Sequence, residues 1–351
     1  MYVGWRDLRF ARGRFALMGT VIVLITLLVG LLSGLTAGLG RQNTSAVTGL
    51  PADRIAFGGP EVSFADSAVT DDQVRRWAAT PGVRAAEPLG VAGTKASAAR
   101  NAPVTVFGVR PGSALAPVPD DRSAVLSEGA ADELGAGPGD AVVVAGRSLT
   151  VAAVRGDAWY SHTPVVWTTA DTWRLVAPPD ARAATVVALT TDPSGVDFAA
   201  ADAAIGTRTT SIGDALAGIG SYTSENGSLQ LMRGFLFAIS ALVIGAFFTV
   251  WTIQRSGDVA VLKALGASTG NLLRDALGQA VVVLVGGTLV GTGLAVAVGA
   301  ALAGSSVPFL LTPATVLPPA AATVLLGAAG AALAVRRVTS VDPLTALGAA
   351  R

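Results

Sequence analysis

Residues 15–40 read FALMGTVIVLITLLVGLLSGLTAGLG, 26 consecutive uncharged positions between Arg14 and Arg41. About 20 apolar residues cross a hydrocarbon layer of about 30 Å as a helix, so this stretch is long enough to span a bilayer. A cleaved leader is the competing reading, because basic residues precede the run. Leader cores hold about 7 to 15 apolar residues and end at a small-residue cleavage site, and no convincing A-x-A site stands before Arg41. An uncleaved anchor is the expectation.

Working outward, a second uncharged run, 234–254, lies between Arg233 and Arg255. A third, 276–335, is 60 residues long and is punctuated by Gly304, Ser305, Ser306, Pro308 and Pro313. Clustered Gly and Pro break helices, so this run divides into two spans, 276–303 and 314–335, joined by a hairpin at 304–313. The fold class is therefore a membrane protein with four transmembrane α-helices, one plus three, around a large segment between spans one and two. The whole chain agrees: 51% of its 351 residues are hydrophobic, only 14% are charged, and mean hydropathy is +0.57. Soluble domains carry about 25% charge.

The net charge of +1 hides an asymmetry. The flanks 1–14, 254–275 and 336–351 together carry ten basic and four acidic residues, whereas 41–233 carries fifteen basic and twenty acidic. Basic residues in short flanks mark the cytoplasmic side, which places the N-terminal segment (1–14), the loop 255–275 and the tail (336–351) inside and residues 41–233 outside the plasma membrane.

The outer segment reads as one α+β domain. Short alternating or β-branched runs, Val83 to Val91, Val104 to Val109, Ala141 to Val144, Leu149 to Val154, Val165 to Thr168 and Thr185 to Leu189, have strand character. Thr70 with Gln73 has capping-box spacing and opens a helix to about Ala79; Ser127 opens another that Gly135 stops. Residues 211–219 look helical and lead towards span two.

Catalytic chemistry finds little support. There is no cysteine and one histidine, His162, so thiolate chemistry and multi-histidine metal sites are excluded. No G-x-S-x-G elbow occurs, and His162, between Tyr160, Ser161 and Pro164, reads as a solvated loop residue. Neither lysine belongs to a Walker A loop: Lys95 follows Thr94 and Lys263 follows Leu262, where that loop needs glycine. The spans contain no charged group for intramembrane catalysis, so the expectation is a non-catalytic chain with no intrinsic cofactor or metal and no nucleic-acid partner.

The cytoplasmic loop carries the most information. In Gln254-Arg255-Ser256-Gly257-Asp258-Val259-Ala260-Val261-Leu262-Lys263-Ala264-Leu265-Gly266-Ala267-Ser268, Val259, Leu262, Ala264 and Leu265 fall at helical spacing and Gly266 ends the pattern. A short amphipathic helix follows, lying either on lipid or in a protein groove. This segment resembles the cytoplasmic segment of FtsX-like (MacB-type) ABC transporter permeases, with Asp258 where the family's acidic residue stands. The tail from Arg336-Arg337 through Asp342-Pro343 to Ala346-Leu347 is similar to that family's closing motif, and the one-plus-three layout extends the resemblance over the whole chain. It implies that Asp258, Val261, Leu262, Lys263, Leu265 and Gly266 form a coupling helix docking on a separate cytoplasmic ABC ATPase dimer that binds the ATP. It also implies a permease homodimer in the bilayer.

Within the family, the opening Arg6-Asp7-Leu8-Arg9, the Gly30-to-Leu35 stretch and Gln42-Asn43-Thr44-Ser45-Ala46 most resemble the haem-exporter (HrtB-like) permeases of actinobacteria. Haem efflux is the implied function. Export of another amphiphile (a lipid, glycolipid or antibiotic), or transmembrane signalling without transport, stays open. Without cysteine, haem iron needs Tyr, His, Met or carboxylate ligands. Tyr222, Glu225 and Met232, with Arg233 as propionate partner, cluster in sequence near the outer boundary of span two. The bland alternative is an interfacial anchor, a solvated linker residue and a packing residue. Gly30, Gly34 and Gly38 recur every four residues and clear one face of span one for a close helix contact, as a dimer seam or between spans.

Overall fold

The computed structural model describes residues 12–179, 181–192, 195–254, 257, 261, 266, 268–302 and 307–339. The chain divides into two compact units: Leu39–Gly227, and Met1–Gly38 together with Ser228–Arg351.

Four helices are long and apolar enough to cross a membrane. They are α1 (Arg12–Thr48), α7 (Gly220–Gln254), α8 (Thr269–Leu302) and α9 (Pro313–Thr339). Pro313 opens α9 at a position where a missing amide costs nothing, and the Thr315 amide donates to the Thr312 hydroxyl at 3.2 Å to cap it. Met18, Ile22, Ile244, Phe248, Trp251, Ala280, Leu284 and Ala331 form the buried core of this unit. Leu242, Leu289, Leu325 and Leu333 are more than two-thirds exposed, as lipid-facing side chains are. Both α1 and α7 outrun the expected spans: α1 continues eight residues past Gly40, and α7 starts fourteen before Gly234.

The α+β unit holds a mixed ten-stranded sheet. Its strands are β1 (Arg54–Phe57), β2 (Val83–Ser97), β3 (Asn101–Val109), β4 (Ser123–Leu126), β5 (Ala141–Val144), β6 (Arg147–Val154), β7 (Trp159–Tyr160), β8 (Thr163–Thr169), β9 (Val186–Thr191) and β10 (Arg208–Ser211). The order is β10-β1-β9-β2-β3-β8-β4-β6-β5, with β7 paired to β8. The fifteen-residue β2 crosses two half-sheets: Val83–Leu89 pairs antiparallel with β9, and Gly90–Ser97 with β3. Its far end pairs again with β5, Ala96 opposite Val144, so the second half closes on itself and leaves fewer free edges.

The helices of this unit are α2 (Asp71–Ala78), α3 (Glu128–Leu134), α4 (Ala170–Arg174), α5 (Phe198–Ile205) and α6 (Ile212–Ala215). The expected caps are in place. Thr70 and Gln73 form a reciprocal capping box, and Gly135 ends α3 at φ 64°, where a Cβ would be strained. Residues 211–219, read as one helix, instead hold the end of β10, the single turn of α6 and a 3-10 turn over Leu216–Gly218. Gly213 and Gly218 within this stretch weaken a continuous helix.

The last turn of α1 is part of this domain's core. Ala46 and Val47 are buried against Ile55, Phe57, Phe107, Val165 and Ile219. Burying a valine side chain contributes roughly 1.5–3 kcal/mol, so the helix is anchored where it enters the domain.

Candidate functional site

The hairpin of β7 and β8 turns through Ser161 and His162 alone, since Tyr160 pairs with Thr163. Two-residue hairpins favour turns with positive φ at both central residues, and here φ is 50° at Ser161 and 64° at His162. Asn-Gly is the usual choice for such a turn. Ser-His adopts it at a cost of about 1–2 kcal/mol per residue, which other contacts must offset.

Those contacts run to α1. The Ser161 amide donates to the Asn43 carbonyl at 3.1 Å, and the His162 amide to the Gln42 carbonyl at 3.0 Å. Ser45 Oγ donates to the Asp157 carbonyl at 3.1 Å and accepts from the Trp159 amide at 2.9 Å. Arg41 and Asp157 form an ion pair at 2.7 Å. The hairpin therefore grips the outer end of α1 by backbone and side chain together.

Side chains extend the grip to α7. His162 Nε2 lies 2.9 Å from each carboxylate oxygen of Glu225, and Asn43 Nδ2 lies 3.0 Å from Glu225 Oε2. Asn43 Nδ2 and His162 Nε2 are also 2.9 Å apart. An ionised carboxylate only accepts, so both N–H groups point at Glu225 and the two nitrogens are neighbouring donors, not a bonded pair. Ser221 Oγ donates to Asn43 Oδ1 at 2.6 Å and lies 2.8 Å from Ser161 Oγ. Asn43 is 1% exposed, while the His162 and Glu225 side chains remain 30% and 40% accessible. The result is a polar clasp, Asn43, Ser161, His162, Ser221 and Glu225, joining the end of α1, the β7–β8 turn and the start of α7 within one compact unit.

This corrects the reading of His162 as a solvated loop residue: it is half-buried and paired. Glu225 is likewise no linker residue, since it lies in the second turn of α7. Of the residues considered for haem, Glu225 is therefore held by two donors outside that set. Tyr222 packs against the apolar core around Phe57 and Phe107. Met232 is 53% exposed, and the Arg233 guanidinium lies over the Phe237 ring at 5.9 Å. Asn43 and His162 were not among the expected site residues.

The close-contact glycines pack inside the membrane unit. A Cβ at Gly30 would stand 2.8 Å from the Ala295 side chain; at Gly34 it would overlap the Phe309 ring, and at Gly38 the Pro308 carbonyl. The Leu310 amide donates to the Gly34 carbonyl at 3.0 Å. In the loop 255–275, Val261 is helical and 55% exposed, and Gly266 has φ 96°, a conformation suited to ending a helix. Asp258, Leu262, Lys263 and Leu265 lie outside the described residues, as does the tail beyond Thr339. Among the described residues no group of three His, Cys, Asp or Glu is placed to hold a metal ion.

A helix-anchored outer α+β domain and a four-helix membrane unit define a permease architecture. The family model for the MacB-like periplasmic core domain matches residues 15–208, and that for the FtsX-like permease C-terminal region matches residues 231–343. The chain belongs to the FtsX-like, MacB-type family of ABC transporter permeases. It is 25% identical, over 99% of both chains, to a protein of Staphylococcus haemolyticus that carries the name hemin transport system permease protein HrtB. It is 26% identical, again over 99% of both, to an uncharacterized ABC transporter permease of Mycobacterium tuberculosis. The crystal structure of the periplasmic region of MacB from Actinobacillus actinomycetemcomitans aligns with 48% of this chain and 92% of that one, at 12% identity and a TM-score of 0.38, too low to bear on the fold.

Proposed function

We propose that this chain is the permease subunit of an efflux transporter that removes haem from the membrane, driven by ATP hydrolysed on a separate cytoplasmic subunit. The observation that carries this reading is full-length similarity to a chain named as a hemin transport permease, and the four apolar helices of this chain, one before and three after the α+β domain, support it. Basic flanks at both termini and at 255–275 support placing those segments in the cytoplasm, where the segment that contains Val261 meets the ATPase. Two permeases and two ATPases assemble into the working unit. The chain itself performs no chemistry on its cargo.

Under this reading Tyr222, Glu225 and Met232 present oxygen and thioether ligands to iron and Arg233 meets a propionate. Glu225 reaches iron only by exchanging His162 and Asn43 for it, so cargo arrival and release of the clasp become one event. The test is the Tyr222→Phe, Glu225→Ala, Met232→Leu triple variant beside Glu225→Ala alone. Loss of haem tolerance with a shifted Soret band is the expected result; wild-type tolerance and an unchanged Soret band remove these residues from the site.

A further inference from the structure

The clasp brings three metal-ligating types of side chain to one point. His162 Nε2 lies 2.9 Å from Glu225 Oε2 and 2.9 Å from Glu225 Oε1. The amide atom of Asn43 that faces them lies 2.9 Å from Nε2 and 3.0 Å from Oε2. All three residues belong to one compact unit. The imidazole and the carboxylate remain 30% and 40% accessible, so an ion in solution can reach them, whereas Asn43 is buried.

The triangle formed by Nε2, Oε2 and the Asn43 amide atom, with sides of 2.9, 2.9 and 3.0 Å, has the size of one octahedral face. An ion about 2.1 Å from each donor sets octahedral neighbours about 3.0 Å apart, against about 3.4 Å at a tetrahedral site. Hydrogen bonding alone fills this group poorly, because the Asn43 and His162 nitrogens are two donors in contact with no bond between them. An ion removes that conflict. Nε2 then presents its lone pair, and the Asn43 amide turns over to present Oδ1, a change that needs no extra space. The Ser221 hydroxyl, 2.6 Å from the other amide atom and 2.8 Å from Ser161 Oγ, serves either orientation, since a hydroxyl both donates and accepts.

Donor chemistry narrows the ion. One imidazole nitrogen, one carboxylate and one amide oxygen are a mixed set, whereas calcium takes oxygen throughout and zinc in proteins favours four tetrahedral ligands. The group holds two side chains of the usual His, Cys, Asp and Glu set, and the amide oxygen supplies the third position. We propose that Asn43, His162 and Glu225 bind a divalent first-row transition-metal ion in octahedral coordination, with water on its open face. Coordinate bonds then replace the hydrogen bonds between the end of α1, the β7–β8 turn and the start of α7, and the clasp is locked. The site does not rest on the haem-export reading; where Glu225 turns to haem iron, the ion and haem exclude one another.

The test titrates Mn²⁺ into the tag-free, full-length permease in nanodiscs of zwitterionic lipid, without ATPase or haem. Free Mn²⁺ is read from its EPR signal, and the melting temperature is taken with and without the ion. Saturable binding of one ion per chain is expected, with a higher melting temperature in its presence. Glu225→Gln, and the Ser161→Asn, His162→Gly double variant that keeps the turn, should each weaken binding at least about tenfold. Asn43→Asp should do the opposite: it melts lower than the wild type without Mn²⁺, because two carboxylates then adjoin, and binds the ion about tenfold tighter. A clasp held by hydrogen bonds alone gives none of these responses to the ion. Absence of saturable binding overturns the proposal, as does wild-type affinity in the double variant or in Glu225→Gln. An Asn43→Asp permease that binds no tighter overturns Asn43 as a ligand, and the octahedral face with it.

Discussion

His162 Nε2 stands 2.9 Å from both oxygens of Glu225, although 63 residues separate them in sequence and they belong to a β-turn and a membrane-directed helix. The chain's single histidine thus joins the outer domain to the base of α7, and Asn43 adds the base of α1 to the same carboxylate.

Replacing Ser161-His162 by Asn-Gly separates the turn from the clasp. The new pair suits positive φ and keeps both backbone amides for Asn43 and Gln42, so the melting temperature of the purified permease is expected to hold or rise while haem tolerance falls. A double variant with full tolerance would show that the clasp is architectural only.

Asn43→Ala removes a buried side chain, leaves the Ser221 hydroxyl without its acceptor and takes one of two donors from the partly accessible Glu225. A loss of about 1–3 kcal/mol of stability is expected, read as faster proteolysis of the outer domain. Glu225→Gln, by contrast, is expected to cost less, because its amide still offers an oxygen to the donors. Equal proteolysis of the two variants contradicts the network.

Gly34→Leu should destabilise the membrane unit through the Phe309 ring, and adding Phe309→Ala should restore it, because the obstacle is a side chain. Gly38→Leu meets the Pro308 backbone and no side-chain change at Phe309 should rescue it. Detergent-solubilised melting curves check both; rescue of Gly38→Leu by Phe309→Ala would mean the packing differs.

Burial pushes the Tyr160 phenol well above its ordinary value of 10.0. Above pH about 10 the unfolded chain releases this proton while the folded one keeps it, so stability falls as pH rises, by up to about 1.4 kcal/mol per pH unit. Tyr160→Phe should therefore lower the tyrosinate absorbance of the unfolded protein above pH about 10 and leave that of the folded protein unchanged. A folded-state absorbance near pH 10 that Tyr160→Phe lowers as much as it lowers the unfolded one contradicts it.

The spans were legible because a bilayer tolerates no charge over some twenty residues, a constraint that soluble folds do not impose. Arg41 marked the end of the first run but not of the helix: Ala46 and Val47 bury one side of its last turn in the domain while Gln42, Asn43 and Ser45 serve the hairpin. β2 read as ending near Val91 because Gly90 and Gly93 interrupt its pattern, yet pairing with β3 and then β5 carries it to Ser97. β1, β4, β7 and β10, two to four residues long, carry no valine run such as the one that marks β5, which is equally short. The clasp was illegible for a different reason: Ser-His is no turn signature, and its meaning depends on helix ends distant in sequence. Glu225 stood out in sequence as a candidate iron ligand, whereas its partners His162 and Asn43 required the fold.

The central claim, ATP-driven haem efflux through this chain, is tested most directly by reconstituting the permease with its partner ATPase in haem-loaded proteoliposomes and following haem transfer to an external apo-acceptor. The account predicts transfer that requires ATP and is lost in Leu262→Asp, where a charge enters the face docked on the ATPase and the subunits no longer co-purify. An assembled complex that hydrolyses ATP without moving haem, or a Leu262→Asp permease that binds the ATPase and transports at the wild-type rate, would contradict it.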